Sequence, residues 1–84
     1  MAQEATQALE NMRAIVEAAE GTIADIVQCT IYISDIAQWA EVDGIYGAFF
    51  REVPVLPART VVPVKEMHFG ARIVIQAIAF LNRA

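Results

Sequence analysis

Two polar side chains interrupt otherwise apolar, strand-like runs: Arg59 in Pro57-Ala58-Arg59-Thr60-Val61-Val62, and Gln76 in Ile73-Val74-Ile75-Gln76-Ala77-Ile78. A guanidinium is a planar fork that can give a carboxylate two parallel charge-assisted hydrogen bonds. A primary amide can hold a water through its oxygen but takes up no proton at neutral pH. Each also has a bland reading. Arg59 suits an edge-strand arginine paired with a carboxylate of a neighbouring subunit, and Gln76 a sheet-face glutamine bonded to backbone or to a partner chain. Other candidates carry less chemistry. Cys29 falls on the oily side of its strand pattern, where a thiol is packing material rather than a nucleophile. His68 stands in a turn, Trp39 and Tyr46 recur at helical core spacing, and Glu41 and Asp43 look like an exposed helix face. One cysteine and one histidine at unrelated positions make no metal cluster.

The elements that must position these groups fit in one domain, residues 1–84, with a small core. Yet 57% of the residues are hydrophobic and the mean hydropathy is +0.45, more apolar side chain than a lone globule of this size buries. No run approaches the roughly 18 uncharged apolar residues of a membrane span, and Met1-Ala2-Gln3-Glu4 does not read as the start of a signal peptide. Self-association is the remaining outlet, so a homo-oligomer is expected. The formal net charge of -4 disfavours nucleic-acid partners. A single cysteine leaves no intramolecular disulfide and is compatible with a reducing cytoplasm.

Residues 3–20 place Ala5, Ala8, Leu9, Met12, Val16 and Ala19 at three- and four-residue steps, an amphipathic helix with Gly21 as its stop. From Ala24 to Ser34 the period becomes two: Val27, Cys29, Ile31 and Ile33 form an oily side, and Ile26, Gln28, Thr30 and Tyr32 a mixed one. Ser34 and Asp35 are N-cap types ahead of a second helix carrying Trp39, Val42, Tyr46, Phe49 and Phe50. A linker bracketed by Pro54 and Pro57 leads to a strand from Thr60 to Glu66, whose Pro63 suggests an edge or a bulge. A turn over 67–70 opens the last strand, Ala71 to Phe80. The order α-β-α-β-β is an α+β pattern. The two strands joined through a helix should run parallel, and pattern alone makes the last two a hairpin. Two helices on one face leave the other face of the sheet uncovered, which makes it the expected subunit interface.

Five stretches carry a resemblance: Leu9-Glu10-Asn11-Met12 with Ile15-Val16-Glu17-Ala18-Ala19, Thr30-Ile31-Tyr32-Ile33-Ser34-Asp35, Tyr46-Gly47-Ala48-Phe49-Phe50, Pro57-Ala58-Arg59-Thr60, and Gly70-Ala71-Arg72-Ile73-Val74-Ile75-Gln76-Ala77-Ile78-Ala79. In this order they are similar to the landmarks of the Rid (reactive intermediate deaminase) proteins, also called YjgF-like or endoribonuclease L-PSP-like. The resemblance implies a chorismate-mutase-like fold, a mixed sheet with two helices on one face, assembled as a trimer with sites between subunits. It also implies that the last strand lies beside the first rather than in a hairpin. Family members begin with a further β-rich segment, so an N-terminally shortened domain is expected, with one unpaired edge on the last strand.

Family members of this kind hydrolyse enamines and imines, such as 2-iminobutanoate, to a 2-keto acid and ammonia without a cofactor. By that resemblance Arg59 is the substrate-binding clamp for a small carboxylate ligand. Gln76 stands where many members place a water-orienting glutamate and so takes the catalytic position. The competing expectation is a non-catalytic module that binds small carboxylates or serves assembly. RNA cleavage rests only on one of the family names and fits poorly with an acidic chain.

Overall fold

The computed structural model describes residues 1–67 and 70–81. His68 and Phe69 lie outside the described residues, and with them the reading of His68 as a turn residue. The elements are α1 (Ala2–Ala18), β1 (Ile26–Ile33), α2 (Trp39–Phe49), β2 (Ala58–Pro63) and β3 (Ile73–Ala79), with short 3-10 turns at Ile23–Asp25 and Ile36–Gln38. The expected order holds. The second strand begins two residues earlier and ends three earlier than the pattern suggested, and the last strand is trimmed at both ends.

Strand order in the sheet is β2-β1-β3. β1 pairs in parallel with β2, Cys29 opposite Arg59 and Ile31 opposite Val61. It pairs antiparallel with β3, Thr30 opposite Gln76 and Ile31 opposite Ile75. The hairpin that pattern alone favours does not form, and the last strand takes the central strand's other side, as the family resemblance implied. Both ladders of β1 are therefore satisfied within the chain.

The helices lie on one face of the sheet and close a single core. Ala5, Leu9, Met12 and Val16 come from α1, Val42 and Tyr46 from α2, and Phe50 follows it; all are buried with Cys29, Ile31 and Ile33 of β1. The period-two reading of β1 fails at its start. Ile26 is opposite Ala79 while Gln28 is opposite Ile78, so Val27 is the extra residue of a β-bulge. The bulge reverses the phase: Ile26 is 2% exposed and Val27 50%, the opposite of their expected sides.

The end of α1 also departs from expectation. Glu20, not Gly21, adopts the left-handed conformation, at φ 67°. The Gly21 N–H donates to the Val16 carbonyl at 2.9 Å and the Glu20 N–H to that of Glu17 at 2.9 Å, the paired bonds of a Schellman stop. A side chain with a Cβ costs about 1 kcal/mol in this conformation. Glu20→Gly is therefore expected to be more stable than Glu20→Ala, which loses the same side chain, by about 0.5 kcal/mol after the added freedom of the unfolded chain is subtracted. Chemical denaturation would read this as a higher midpoint at unchanged slope; a lower midpoint contradicts it.

Candidate functional site

Arg59 is the second residue of β2, an outer strand, and the register with Cys29 turns it to the helix-covered side. There its guanidinium lies over the rings of Trp39 at 4.9 Å and Tyr46 at 5.0 Å, two residues of α2 that helical spacing brings to the strand. Both contacts are within cation–π range, which draws the guanidinium toward the ring faces. Arg59 Nη1 donates to Asp43 Oδ1 at 2.7 Å, with the arginine side chain 34% and the aspartate 50% exposed. The expected exposed helix face at Asp43 is exposed, but it carries this partner. The carboxylate beside Arg59 thus belongs to the same chain, and in the described contacts it engages one guanidinium nitrogen.

Beneath the arginine, α2 presses the Tyr46 ring onto β1. The Tyr46 hydroxyl lies beside the Cys29 thiol, is fully enclosed, and makes no well-formed hydrogen bond. Burial pushes its pKa up strongly; the neighbouring thiol adds to the rise and Arg59 opposes it. Burial likewise pushes the Cys29 thiol up, with Tyr46 opposing. Both groups are held neutral, and Cys29, wholly enclosed in the core, is packing as its side of the strand suggested.

Gln76 lies on β3, opposite Thr30, on the uncovered face. The Tyr32 hydroxyl donates to Gln76 Oε1 at 3.3 Å, and beside them Gln28 Nε2 donates to Thr30 Oγ1 at 2.9 Å. These polar groups are set among exposed Val27, Val74, Ile78 and Phe80. Arg59 and Gln76 are thus on opposite faces and on opposite outer strands, two interstrand spacings or roughly 10 Å of backbone apart. One chain does not bring them together. The aromatic cradle of Arg59 and its Asp43 partner escaped the sequence reading, although Trp39, Asp43 and Tyr46 at steps of four and three on one helix are a signal that could have revealed them.

The endoribonuclease L-PSP family model matches residues 1–81. The 2-iminobutanoate/2-iminopropanoate deaminase of Escherichia coli K12 is 41% identical over 80 residues, covering 94% of this chain and 62% of its own length. Among solved structures, the E. coli YjgF gene product superposes with a TM-score of 0.88 at 42% identity, covering 93% of this chain and 62% of that one. E. coli TdcF with bound serine does so at 0.88 and 34%, with the same coverage. This chain belongs to the endoribonuclease L-PSP family, the Rid or YjgF-like proteins. It spans about three-fifths of the length of these relatives. Among the described residues, no helix is long and apolar enough to cross a membrane.

The neutral Tyr46–Cys29 pair sets an alkaline limit. Both folded pKa values are raised, so the associated stability is fully present below the unfolded-state values, near 8.5 for a thiol and 10 for a phenol, and is lost as pH rises beyond them. Tyr46→Phe removes a buried hydroxyl that lacks a good partner, and is expected to leave the melting temperature unchanged or higher at pH 7 and to flatten its fall above pH 9. A loss of several degrees at pH 7 would show that the hydroxyl is bonded after all.

Proposed function

We propose that this chain binds small 2-imino acids through Arg59 and hydrolyses them to the 2-keto acid and ammonia. Water adds to the C=N carbon, and the resulting amino alcohol expels ammonia as the carbonyl forms. The observation that carries the reading is Arg59 itself: a guanidinium set over two aromatic rings and already bonded to a carboxylate oxygen at 2.7 Å. A ligand carboxylate that displaces Asp43 would meet the same oxygen-binding geometry. The similarity to a protein named 2-iminobutanoate/2-iminopropanoate deaminase supports the substrate class, and the serine in the TdcF structure supports a small ligand with a carboxylate.

Because Arg59 and Gln76 face opposite ways in one chain, the reaction in this proposal needs assembled copies. One copy's uncovered sheet face, packed near another's β2 edge, would set a water on Gln76 opposite Arg59; the family resemblance favours a trimer for this. Without a general base, the rate rests on positioning and on the intrinsic ease of imine hydrolysis.

A second reading, a carboxylate-binding module without turnover, is favoured by one specific feature: the residue at the catalytic position is an amide whose oxygen already accepts from Tyr32. Two measurements separate the readings. Release of 2-keto acid from freshly generated 2-iminobutanoate should exceed the buffer rate, fall at least about tenfold in Arg59→Ala, and rise in Gln76→Glu, by roughly 100-fold if proton abstraction limits it. Thermal shift with 2-ketobutyrate should show tighter binding to Asp43→Asn by about fivefold, the worth of an exposed ion pair near 1 kcal/mol. Binding without turnover selects the module. Equal behaviour of wild type and Arg59→Ala in both assays removes the carboxylate role.

A further inference from the structure

Asp43 does more at Arg59 than hold the place of a ligand. α2 brings Trp39, Asp43 and Tyr46 to β2, and all three meet the Arg59 guanidinium. The two rings lie against it, while Asp43 Oδ1 takes a single nitrogen, Nη1, at 2.7 Å. A guanidinium carries more N–H donors, and a carboxylate more acceptor positions, than one hydrogen bond uses. Among the described residues, Nε and Nη2 of Arg59 and Oδ2 of Asp43 have no hydrogen-bond partner. Both side chains are partly open to solvent, so a small molecule can approach the pair.

Two opposite charges side by side, each with bonding capacity in reserve, fit a ligand that carries the same charges in reverse. A 2-imino acid protonated on nitrogen is such a molecule, because its carboxylate and its nitrogen cation stand on neighbouring carbons. A 2-keto acid brings only the carboxylate and sets it against that of Asp43.

We infer that Asp43 determines specificity at the Arg59 site by accepting a hydrogen bond from the cationic nitrogen of a ligand whose carboxylate Arg59 holds. The pair thereby selects zwitterionic 2-imino and 2-amino acids over 2-keto acids. This inference rests on the carboxylate reading of Arg59 and adds the recognition of nitrogen to it. α2 keeps Asp43 beside the guanidinium whichever oxygen occupies Nη1. With a zwitterion bound, positive and negative groups alternate around the contact, and the new hydrogen bonds are charge-assisted. With a keto acid bound, two anions share one cation. The site therefore favours the nitrogen-bearing substrate and repels the product once its nitrogen has left as ammonia.

2-Aminobutyrate and 2-ketobutyrate test this, since they share a carbon skeleton and differ in carrying an ammonium or a carbonyl oxygen on the second carbon. Both are titrated calorimetrically at neutral pH into wild type, Asp43→Asn and Arg59→Ala. Asparagine keeps the shape of a side chain that is half-exposed and outside the core. Arg59→Ala should weaken both ligands at least about tenfold. Asp43→Asn should tighten 2-ketobutyrate about fivefold and leave 2-aminobutyrate unchanged or weaker, so the ratio of the two affinities shifts by at least about fivefold. Taking the ratio removes whatever preference the rest of the site has between the ligands. An equal change in both ligands, with Arg59→Ala still weakening both, overturns the role of Asp43 and leaves the carboxylate reading standing. Full binding to Arg59→Ala, or no binding of either ligand to wild type, removes that reading and the inference with it.

Discussion

Everything in this molecule hangs on β1. It hydrogen-bonds on both edges, to β2 in parallel and to β3 antiparallel, and it buries Ile26, Cys29, Ile31 and Ile33 against both helices. Each large apolar side chain so enclosed contributes roughly 1.5–3 kcal/mol, a large share of the stability available to a domain this size. Among the described residues the other strands have one partner each and the helices pack on one side of the sheet. The candidate site inherits this hierarchy: Arg59 is opposite Cys29, and Tyr46, pressed on that cysteine, supports the guanidinium above it.

That stacking has a chemical meaning. An arginine at the margin of a sheet normally retains many orientations, and gripping a ligand would cost it that freedom. Here the rings of Trp39 and Tyr46 limit that freedom, and Asp43 supplies an exposed counter-ion. Directly before β3, Arg72 is paired with Glu4 of α1, which holds that carboxyl below its usual range. That pair ties a strand to a helix terminus without aromatic support among the described residues, so the two arginines occupy different settings there.

The order of elements, the parallel pairing through α2 and the burial of Cys29 were legible because periodicity and topology rules act over long stretches. Three features were not. The bulge at Val27 depends on how Ile26 and Ala79 meet across the ladder, which no single strand reports. The left-handed residue fell on Glu20 because the bond from Gly21 to Val16 fixes the geometry one position earlier than glycine preference suggests. Asp43 reads as a solvated helix residue until the fold brings β2 alongside α2. The position of the last strand came from family resemblance; local pattern pointed to a hairpin.

The two ladders of β1 join residues about thirty and about forty or more positions apart in the chain. Among the described residues β1 pairs only with these distant segments, so loop closure must precede both ladders, which slows their formation. During synthesis β1 emerges before β2 and β3, an oily ribbon whose backbone edges have yet to meet these partners. A chain interrupted before β2 and β3 are made would present that ribbon to other chains.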